Sequence, residues 1–556
     1  MQLNKIKNFV KFYDRKNYKF FFFFLIIFSI YCSLNLGKVW DEGAHLKIGK
    51  ITLDYLFSVG EINKNTFLRE HFSAMYWSLK YLLTQIFPSK YQIEANHLVN
   101  LTLSISAVIA FGQLNKQLFN KNVGRIIFLI LFSYPVFFGH MSFNSKDIIL
   151  AFSHVWIFYL VIRYLKKQSI NEKRNNYVIS IGIIAAMATG IELVFLGTLI
   201  PVFVFIFIEI FVFKKLICKN FNKKKFYIDL LKVFLIFYFL LILFWIDTHP
   251  NIIVLPFNFF LEHLSLASVD LKTGHYRGWP FNLINGEYYL SWQVTKLHFL
   301  INLIYKSPEY FLISYLIFFA TFITSKNFYV TKFKFFKYKL VLLLSIILLS
   351  ILVSFFLQTN VYDGMRHSLW SIPYFCIIPG LAIYYLIENF NLLKSKLTSA
   401  VLAFFIIYFA YNFFLLTPYH YTYLNSLNGK VENRYQKFEN DYWGSSLKEL
   451  IKKSKFENTK DAKIATCGVS SSISKKYLKE KGFSNLVFFL PREANFIIMT
   501  NRTLKVSGEL TERSTNKNVK IINCFDRYKG EDLFVVKRNG MILSVIRGKT
   551  ESSYWN

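Results

Sequence analysis

Acidic residues are scarce in this chain. Asp and Glu number 33 against 66 Lys and Arg, which gives a formal net charge of +33 over 556 residues. Such a charge can indicate a nucleic-acid-binding protein. Here, however, Lys and Arg cluster in short segments between apolar runs, as they do in the cytoplasmic loops of membrane proteins. We therefore expect no nucleic-acid partner and interpret the charge as a signal of membrane topology.

Cysteine is also rare, with five residues, and none of them has the spacing of a metal site. Cys467 and Cys524 lie in short apolar stretches of the C-terminal region. In an oxidising compartment they could form a disulfide, and the alternative is two buried free thiols. Cys32, Cys218 and Cys376 lie in or near long apolar runs, so we expect them to be packing residues.

No small-residue cleavage site follows the first apolar run, residues 20–36, which predicts a retained helix rather than a signal peptide. Hydrophobic residues make up 54% of the chain, more than the roughly 45–50% of soluble proteins. The excess lies in runs of roughly 18–22 residues, long enough to cross a bilayer. Basic residues precede the first run, which places the N-terminus in the cytoplasm.

The pattern predicts an α-helical polytopic membrane protein with about eleven transmembrane helices, the N-terminus inside and the C-terminus outside. Residues 1–416 form this part, with long outer loops at 37–95 and 247–307. The predicted spans are 20–36, 96–113, 126–139, 148–164, two within 177–213 around a turn at 188–192, 226–246, 309–325, 340–358, 368–387 and 398–416.

The C-terminal region, residues 417–556, contains no further span. It alternates short apolar stretches with one helical pattern, which predicts a small extracytoplasmic α/β domain. The predicted strands are 463–466, 486–490, 496–499, 519–523 and 533–537, and the predicted helix is 471–481.

The stretch Val39–His45 follows the first span at the outer surface and carries Asp41, Glu42 and His45. Carboxylates at a membrane surface are costly unless they have a function. Adjacent carboxylates on a non-helical stretch point in different directions, so one can act as a base while the other orients or binds. A solvated Asp-Glu pair after a helix is the alternative interpretation.

A second polar cluster, Asn144, Lys146 and Asp147, is predicted at a tight outer turn. Its residues can serve a site, or Asn144 or Asp147 can simply cap the next helix. Glu192, at another outer turn, is interpreted as a loop charge rather than a catalyst.

A third polar cluster, Tyr362, Arg366 and His367, lies at the outer end of a predicted span. Its cationic side chains can hold an anion such as a lipid phosphate, which Arg binds bidentately. Snorkelling of these side chains to lipid headgroups is the alternative. In the outer loop 247–307, residues 275–279 mix aromatic and hydrogen-bond-donor groups, as surfaces that face sugars often do.

A carboxylate base, phosphate-binding cations and aromatic residues thus all face outside, a combination that fits a polyprenyl-phosphate sugar. The sequence resembles the GT-C membrane glycosyltransferases, in particular the bacterial members of the family of protein O-mannosyltransferases and aminoarabinose transferases. The resemblance covers the chain from about residue 40 to the C-terminus and lacks the β-trefoil insertion of eukaryotic members. Its motifs are Asp41-Glu42, Gly139-His140 with Asn144–Asp147, Tyr362–His367 and Phe438–Gly444.

The resemblance implies an inverting hexosyl or pentosyl transfer at the periplasmic face of a bacterial inner membrane. Asp41 would be the general base, and Glu42 would orient the acceptor or a basic partner. The implied partners are a polyprenyl-phosphate sugar donor, an acceptor protein, lipid or glycan, and membrane lipids. No nucleotide is needed, and a divalent metal ion is one possible cofactor. The residues expected to bind the substrate or the lipid phosphate are His45, Asn144, Lys146, Asp147, Tyr362, Arg366 and His367.

Three other functions remain open from the sequence. A transporter or flippase of lipid-linked sugars would carry charges within its spans or broken helices at mid-membrane, whereas here charges gather at the outer ends. A scaffold protein would tolerate replacement of Asp41. A ligase or polymerase that acts on a diphosphate-linked glycan needs the same base and cations, so residue spacing does not separate it from the transferase.

Overall fold

The computed structural model describes residues 15–60, 73–264, 279–356, 360–389, 396–454, 463–483, 487–508, 510, 514–550 and 555. The basic segment that precedes the first span lies mostly outside these residues. The sugar-facing stretch predicted at 275–279 also lies outside them, except for Trp279.

The described chain is mostly helical up to residue 415, and strands dominate from residue 464 onward. The helices are α1 (Arg15–Asn35), α2 (Glu42–Phe57), α3 (Met75–Gln85), α4 (Gln92–Leu118), α5 (Lys121–Phe132), α6 (Pro135–His140), α7 (Asp147–Lys167), α8 (Asn171–Ile191), α9 (Phe195–Thr198), α10 (Ile200–Ile208), α11 (Lys223–Phe244), α12 (Val254–Leu264), α13 (His298–Lys306), α14 (Glu309–Thr324), α15 (Lys326–Lys332), α16 (Phe336–Phe356), α17 (Ile372–Phe375), α18 (Ile377–Glu388), α19 (Lys396–Leu415), α20 (Leu447–Lys453), α21 (Ser471–Glu480) and α22 (Cys524–Arg527).

Helices occupy the predicted spans, and charged residues mark where some of these helices begin and end. For example, α7 begins at Asp147 and ends with Lys166 and Lys167, which complement the helix dipole. Three predicted spans are interrupted. The span predicted after the turn at 188–192 divides into α9 and α10. Residues 126–139 divide into α5 and α6 because Pro135 begins a new helix and keeps Tyr134 extended. Residues 368–387 divide into α17 and α18.

Five helical segments of the described chain are long and apolar enough to cross a membrane. They are Asn17–Asn35, Ser89–Leu118, Asp147–Lys167, Lys223–Phe244 and Phe336–Phe356. The pair α13 and α14 would give a sixth span, although it is bent by 108°. Three shorter apolar segments, Ile200–Phe213, Ile372–Glu388 and Ala400–Leu415, fall below that length.

The outer loop predicted at residues 37–95 is not open chain. It contains α2 and α3, which pack against each other, and Gly49 of α2 permits this contact because a Cβ there would lie 2.3 Å from the carbonyl oxygen of Trp77. The two helices form a layer that packs through α3 against α4 and α8.

The strands are β1 (Phe281–Ile284), β2 (Glu287–Leu290), β3 (Ile464–Cys467), β4 (Phe496–Thr500), β5 (Thr503–Ser507), β6 (Lys520–Asn523), β7 (Glu531–Arg538) and β8 (Met541–Gly548). The main sheet has the order β3-β4-β8-β7, with β3 and β4 parallel and the other pairs antiparallel. Strands β1 with β2, and β5 with β6, form antiparallel pairs.

The predicted strands at 463–466, 496–499, 519–523 and 533–537 and the helix at 471–481 are present with small shifts. The strand predicted at 486–490 is wrong within the described residues, because Phe488 forms only an isolated bridge to Ile464. Strands β1, β2, β5 and β8 were not predicted from the sequence.

The C-terminal region packs on the segment that carries Asp41. Leu36, Val39 and Phe143 share one buried hydrophobic cluster with residues of 419–546, among them Tyr421 and Trp443. Gly139 allows this close approach, since a Cβ there would lie 2.1 Å from the backbone nitrogen of Tyr421. The end of α1, the turn before α7 and the C-terminal region therefore meet at one place.

Candidate active site

Arg366 lies at the centre of the candidate site, with its side chain 5% exposed. Its Nη1 donates to Asp363 Oδ2 at 3.1 Å, and its Nη2 donates to Tyr362 Oη at 3.0 Å. Its Nε lies 3.6 Å from Asp147 Oδ2, and its Nη1 lies 3.9 Å from Asp41 Oδ2. One buried cation is thus surrounded by carboxylates from three separate segments of the chain.

Asp41 differs from the other carboxylates around Arg366. Its side chain is 46% exposed, whereas those of Asp147 and Asp363 are each 4% exposed. It precedes α2 as the N-cap residue but makes no side-chain capping bond. Its carboxylate is therefore available both to Arg366 and to a molecule that enters from solvent.

Glu42 points into the protein. Contrary to the non-helical conformation expected from the sequence, it is the first residue of α2. Its Oε2 accepts from the backbone N–H of Val39 at 2.8 Å, and its Oε1 accepts from Asn96 Nδ2 at 2.6 Å and lies 2.8 Å from His97 Nε2. Burial raises the pKa of Glu42, but His97, Lys80 and the Val39 N–H outweigh it, and the pKa is lowered.

The turn before α7 is organised by Asn144. Its Oδ1 accepts from the backbone N–H groups of Asp147 and Lys146 at 2.9 and 3.1 Å, and its Nδ2 donates to Asp147 Oδ2 at 3.0 Å. Asn144 thus satisfies N–H groups at the start of α7, as the capping interpretation expects. The same bonds orient Asp147 toward Arg366.

His45 lies against this turn. Its ring stacks on Trp77 with centroids 4.4 Å apart, and its Nδ1 lies 2.6 Å from Ser145 Oγ. Burial, with Lys80 and Lys146 next, lowers the pKa of His45 to about 3. A neutral imidazole is therefore held beside the turn.

Two further predicted site residues, Lys146 and His367, contact Glu192 and Tyr362 respectively. Lys146 Nζ is 2.8 Å from Glu192 Oε2, and the two side chains are 23% and 19% exposed. Glu192, interpreted from the sequence as a loop charge, is thus a partner of a site residue. The ring of His367 meets Tyr362 edge-on at 5.0 Å, and its Nε2 is buried without a hydrogen-bond partner among the described residues. Burial and Arg366 lower the pKa of His367 to about 3.

The Phe438–Gly444 motif packs against the back of the site. Tyr442 Oη lies 3.0 Å from His140 Nε2, which connects this motif to the Gly139-His140 motif. The guanidinium of Arg366 lies 5.0 Å from the ring centroid of Trp443 and 4.5 Å from that of Tyr362. Three of the four motifs are therefore in mutual contact.

Three charged residues of the site were not identified from the sequence. Asp363 was only part of a quoted motif, yet its Oδ1 lies 3.0 Å from Arg502 Nη2 of the C-terminal region. Lys80, 1% exposed, acts electrostatically on Glu42 and His45. Lys80 is the single charge in the apolar helix α3, which was a usable signal, whereas nothing in the local sequence distinguishes Arg502.

In the described ranges, no group of three or more His, Cys, Asp or Glu side chains is arranged to hold a metal ion. The carboxylates of Asp147 and Asp363 instead share the guanidinium of Arg366.

No protein-family model matches the chain, and no curated protein matches its sequence. Among solved structures, it is similar to ArnT from Cupriavidus metallidurans in the apo state, with a TM-score of 0.48, 10% identity, and coverage of 96% of this chain and 98% of that chain. ArnT bound to undecaprenyl phosphate gives a TM-score of 0.47, 10% identity, and coverage of 95% and 97%.

The Archaeoglobus fulgidus oligosaccharyltransferase in the apo form gives a TM-score of 0.47 at 11% identity, with coverage of 88% of this chain and 70% of that chain.

Proposed function

We propose that the protein is a membrane glycosyltransferase that moves a sugar from a polyprenyl-phosphate carrier to an acceptor hydroxyl, with inversion at the anomeric carbon. Asp41 is the general base. Residues 1–416 form the catalytic membrane domain and residues 417–556 form an extracytoplasmic domain. The site faces the periplasm of a bacterial inner membrane, in accord with the placement of basic residues between the apolar runs.

The observation that carries this proposal is the contact between Asp41 and Arg366. A half-exposed carboxylate lies 3.9 Å from a buried guanidinium, and two buried carboxylates hold that guanidinium in place. A base must be reachable by the acceptor, and a cation that stabilises a leaving phosphate must be fixed beforehand. Asp41 meets the first requirement, and the neighbouring Arg366 meets the second.

The proposed reaction is one displacement. Asp41 takes the proton from the acceptor hydroxyl, and the hydroxyl oxygen attacks the anomeric carbon. The bond between that carbon and the phosphate oxygen breaks, and its electron pair leaves with the polyprenyl phosphate. General-base assistance of this kind contributes about 10²–10⁴-fold in rate.

Three cationic or potential donor side chains are proposed to receive the phosphate. The Nη1 of Arg366 is 3.9 Å from Asp41 Oδ2, too far for a hydrogen bond, and so retains donor capacity toward the half-exposed Asp41. Lys146 is partly exposed at the edge of the site. His367 presents a buried Nε2 without a partner in the described part of the chain. Together they can match the oxygens of a phosphate.

The test uses the full chain purified into lipid vesicles, with a membrane extract as the source of protein, lipid and glycan acceptors. Radiolabelled polyprenyl-phosphate sugars are the donors in one arm, and radiolabelled polyprenyl-diphosphate-linked glycans are the donors in a second arm. Asp41→Asn is compared with wild type. Asp54→Asn is the matched control, because Asp54 lies on α2, the helix that begins directly after Asp41, and makes an exposed ion pair with Lys50. Each variant is checked for a wild-type melting midpoint.

We expect label to move to an acceptor with wild type and Asp54→Asn, and to fall about 10²-fold or more with Asp41→Asn. Transfer by Asp41→Asn at the wild-type rate would show that Asp41 is not the general base. Consumption of diphosphate-linked donors alone would favour the glycan ligase or polymerase. Protein-dependent movement of the labelled lipid between leaflets without transfer would favour the flippase.

A further inference from the structure

Arg502 connects the C-terminal region to the candidate site. It lies between β4 and β5, and its side chain is 6% exposed. Its Nη2 lies 3.0 Å from Asp363 Oδ1, and its Nη1 donates to the backbone carbonyl of Tyr442. Its contacts thus reach both the segment that carries Arg366 and the motif that packs behind it.

Asp363 lies between two guanidinium groups. Its Oδ2 accepts from Arg366 Nη1 at 3.1 Å, and its Oδ1 faces Arg502 at 3.0 Å. The residue has a φ of +61°, which is unusual for an aspartate and is maintained only where the surroundings fix it. The ion pair with Arg502 therefore helps to hold the turn that presents Arg366.

Arg502 also lies against two tryptophans at the mouth of the site. Its guanidinium carbon is 4.3 Å from the ring centroid of Trp279 and 5.9 Å from that of Trp40. The two rings are 6.3 Å apart, and Trp40 precedes Asp41 directly in the chain. Cation–π contact of this kind fixes the position of the aromatic rings. One side chain thus contacts groups on both sides of the Asp41–Arg366 pair.

We propose that Arg502 is a positioning residue for sugar transfer, through which the C-terminal region completes the active site. This inference rests on the proposed function. Arg502 acts on the reaction through Asp363, which it keeps charged and oriented toward Arg366, and through the tryptophans beside Asp41. A region that only covered the membrane domain would not need a buried charge at this point.

The charge state of Asp363 makes the proposal testable by pH. Burial raises the pKa of Asp363 above its ordinary value, and Arg502 followed by Arg366 offsets only part of this shift. Without Arg502, Asp363 takes up a proton at a higher pH and releases Arg366 from its charged partner. The titratable and charged groups that face Asp363 are Arg366, Tyr362, Asp41, Asp147, Arg502, Lys306, Glu439 and Tyr442.

The experiment compares Arg502→Gln and Arg502→Lys with wild type in the vesicle transfer assay. It measures kcat, the KM for the polyprenyl-phosphate sugar and the pH profile of kcat/KM. Arg547→Gln is the matched control, because Arg547 also belongs to the C-terminal region and makes an ion pair, with Asp532, away from the site. The melting midpoint of each variant separates misfolding from mispositioning.

We expect Arg502→Gln to lower kcat/KM about tenfold and to move the acidic limb of the profile upward by about one pH unit. Arg502→Lys keeps the positive charge but cannot reach both Asp363 and the Tyr442 carbonyl. We therefore expect its acidic limb to lie at the wild-type pH, while its kcat stays reduced. Arg547→Gln keeps the wild-type profile.

An Arg502→Gln profile that matches wild type or Arg547→Gln, in a folded protein, would overturn this inference and leave the transferase in place. The Asp41→Asn comparison decides the proposed function separately. If wild type transfers no sugar, the proposed function fails, and the role of Arg502 in transfer fails with it.

Discussion

Glu42 and His97 form a buried pair in which Glu42 Oε1 lies 2.8 Å from His97 Nε2. This contact turns Glu42 away from its neighbour Asp41, which is 46% exposed and faces Arg366. Two adjacent carboxylates therefore meet different environments, one inside the protein and one at the opening of the site. Glu42 fixes the start of α2, and with it the position of Asp41.

The first prediction concerns stability. Glu42→Gln keeps the size of the side chain but removes the charge that Asn96, His97 and the Val39 N–H surround. We expect a loss of about 1–3 kcal/mol in the free energy of unfolding at neutral pH, read as a lower melting midpoint in detergent. Glu480→Gln, at an exposed ion pair with Lys476, is the control and should melt like wild type.

The pH dependence of this effect has a definite sign. The folded pKa of Glu42 is lowered from 4.5, so its stabilising contribution is present above pH 4.5 and is lost as the pH falls through the folded value. The difference in melting midpoint between wild type and Glu42→Gln should therefore shrink on acidification below pH 4.5. A difference that stays constant or grows would contradict the assigned charge.

A second prediction separates Lys146 from Glu192, which lie 2.8 Å apart. If Lys146 receives the donor phosphate, Lys146→Gln should raise the donor KM about tenfold with a smaller effect on kcat. Glu192→Gln removes a negative charge next to that phosphate and should lower the KM. Steady-state kinetics over a range of donor concentrations would show the two opposite shifts, and KM changes of the same sign would exclude the role of Lys146.

Much of the helical architecture could be predicted because apolar runs are local features of the sequence. The ends of α7, for instance, are marked by Asp147 and by Lys166 and Lys167. The interruption at Pro135 was visible in the sequence but was outweighed by the apolar run around it. Strand β8 was missed because its hydrophobic stretch contains Arg547, whose partner Asp532 lies on another strand.

The candidate site was only partly predictable for the same reason. Asp41, Asp147 and Arg366 carry charges next to apolar runs, so each could be identified alone. That they meet around one guanidinium depends on contacts between segments far apart in the chain. Arg502 is the extreme case, because its only partner among the site carboxylates in the described structure is 139 residues away, at Asp363.

A third prediction concerns His45, whose pKa burial lowers to about 3, with Lys80 next. A histidine held neutral in the folded state stabilises the protein above its unfolded pKa of about 6.5 and loses this contribution as the pH falls toward 3. When the pH is lowered from 7 to 5, the melting midpoint of wild type should therefore fall by more than that of His45→Gln. Equal losses in the two proteins would show that the pKa of His45 is the same in the folded and unfolded states, which contradicts the lowered value.

The last prediction concerns the C-terminal region, where Cys467 and Cys524 are joined by a disulfide while Cys32, Cys218 and Cys376 are free. The bond closes a loop of 57 residues, for which chain entropy predicts a stabilisation of about 4 kcal/mol. In denaturant without reductant, alkylation should label only the three free cysteines, and after reduction all five. Replacing Cys467 and Cys524 by serine should lower the melting midpoint, whereas Cys218→Ser should not. Five labelled cysteines before reduction would show that the two thiols are merely buried side by side, and the C-terminal region would then be held together by its sheet and its contacts with the membrane domain alone.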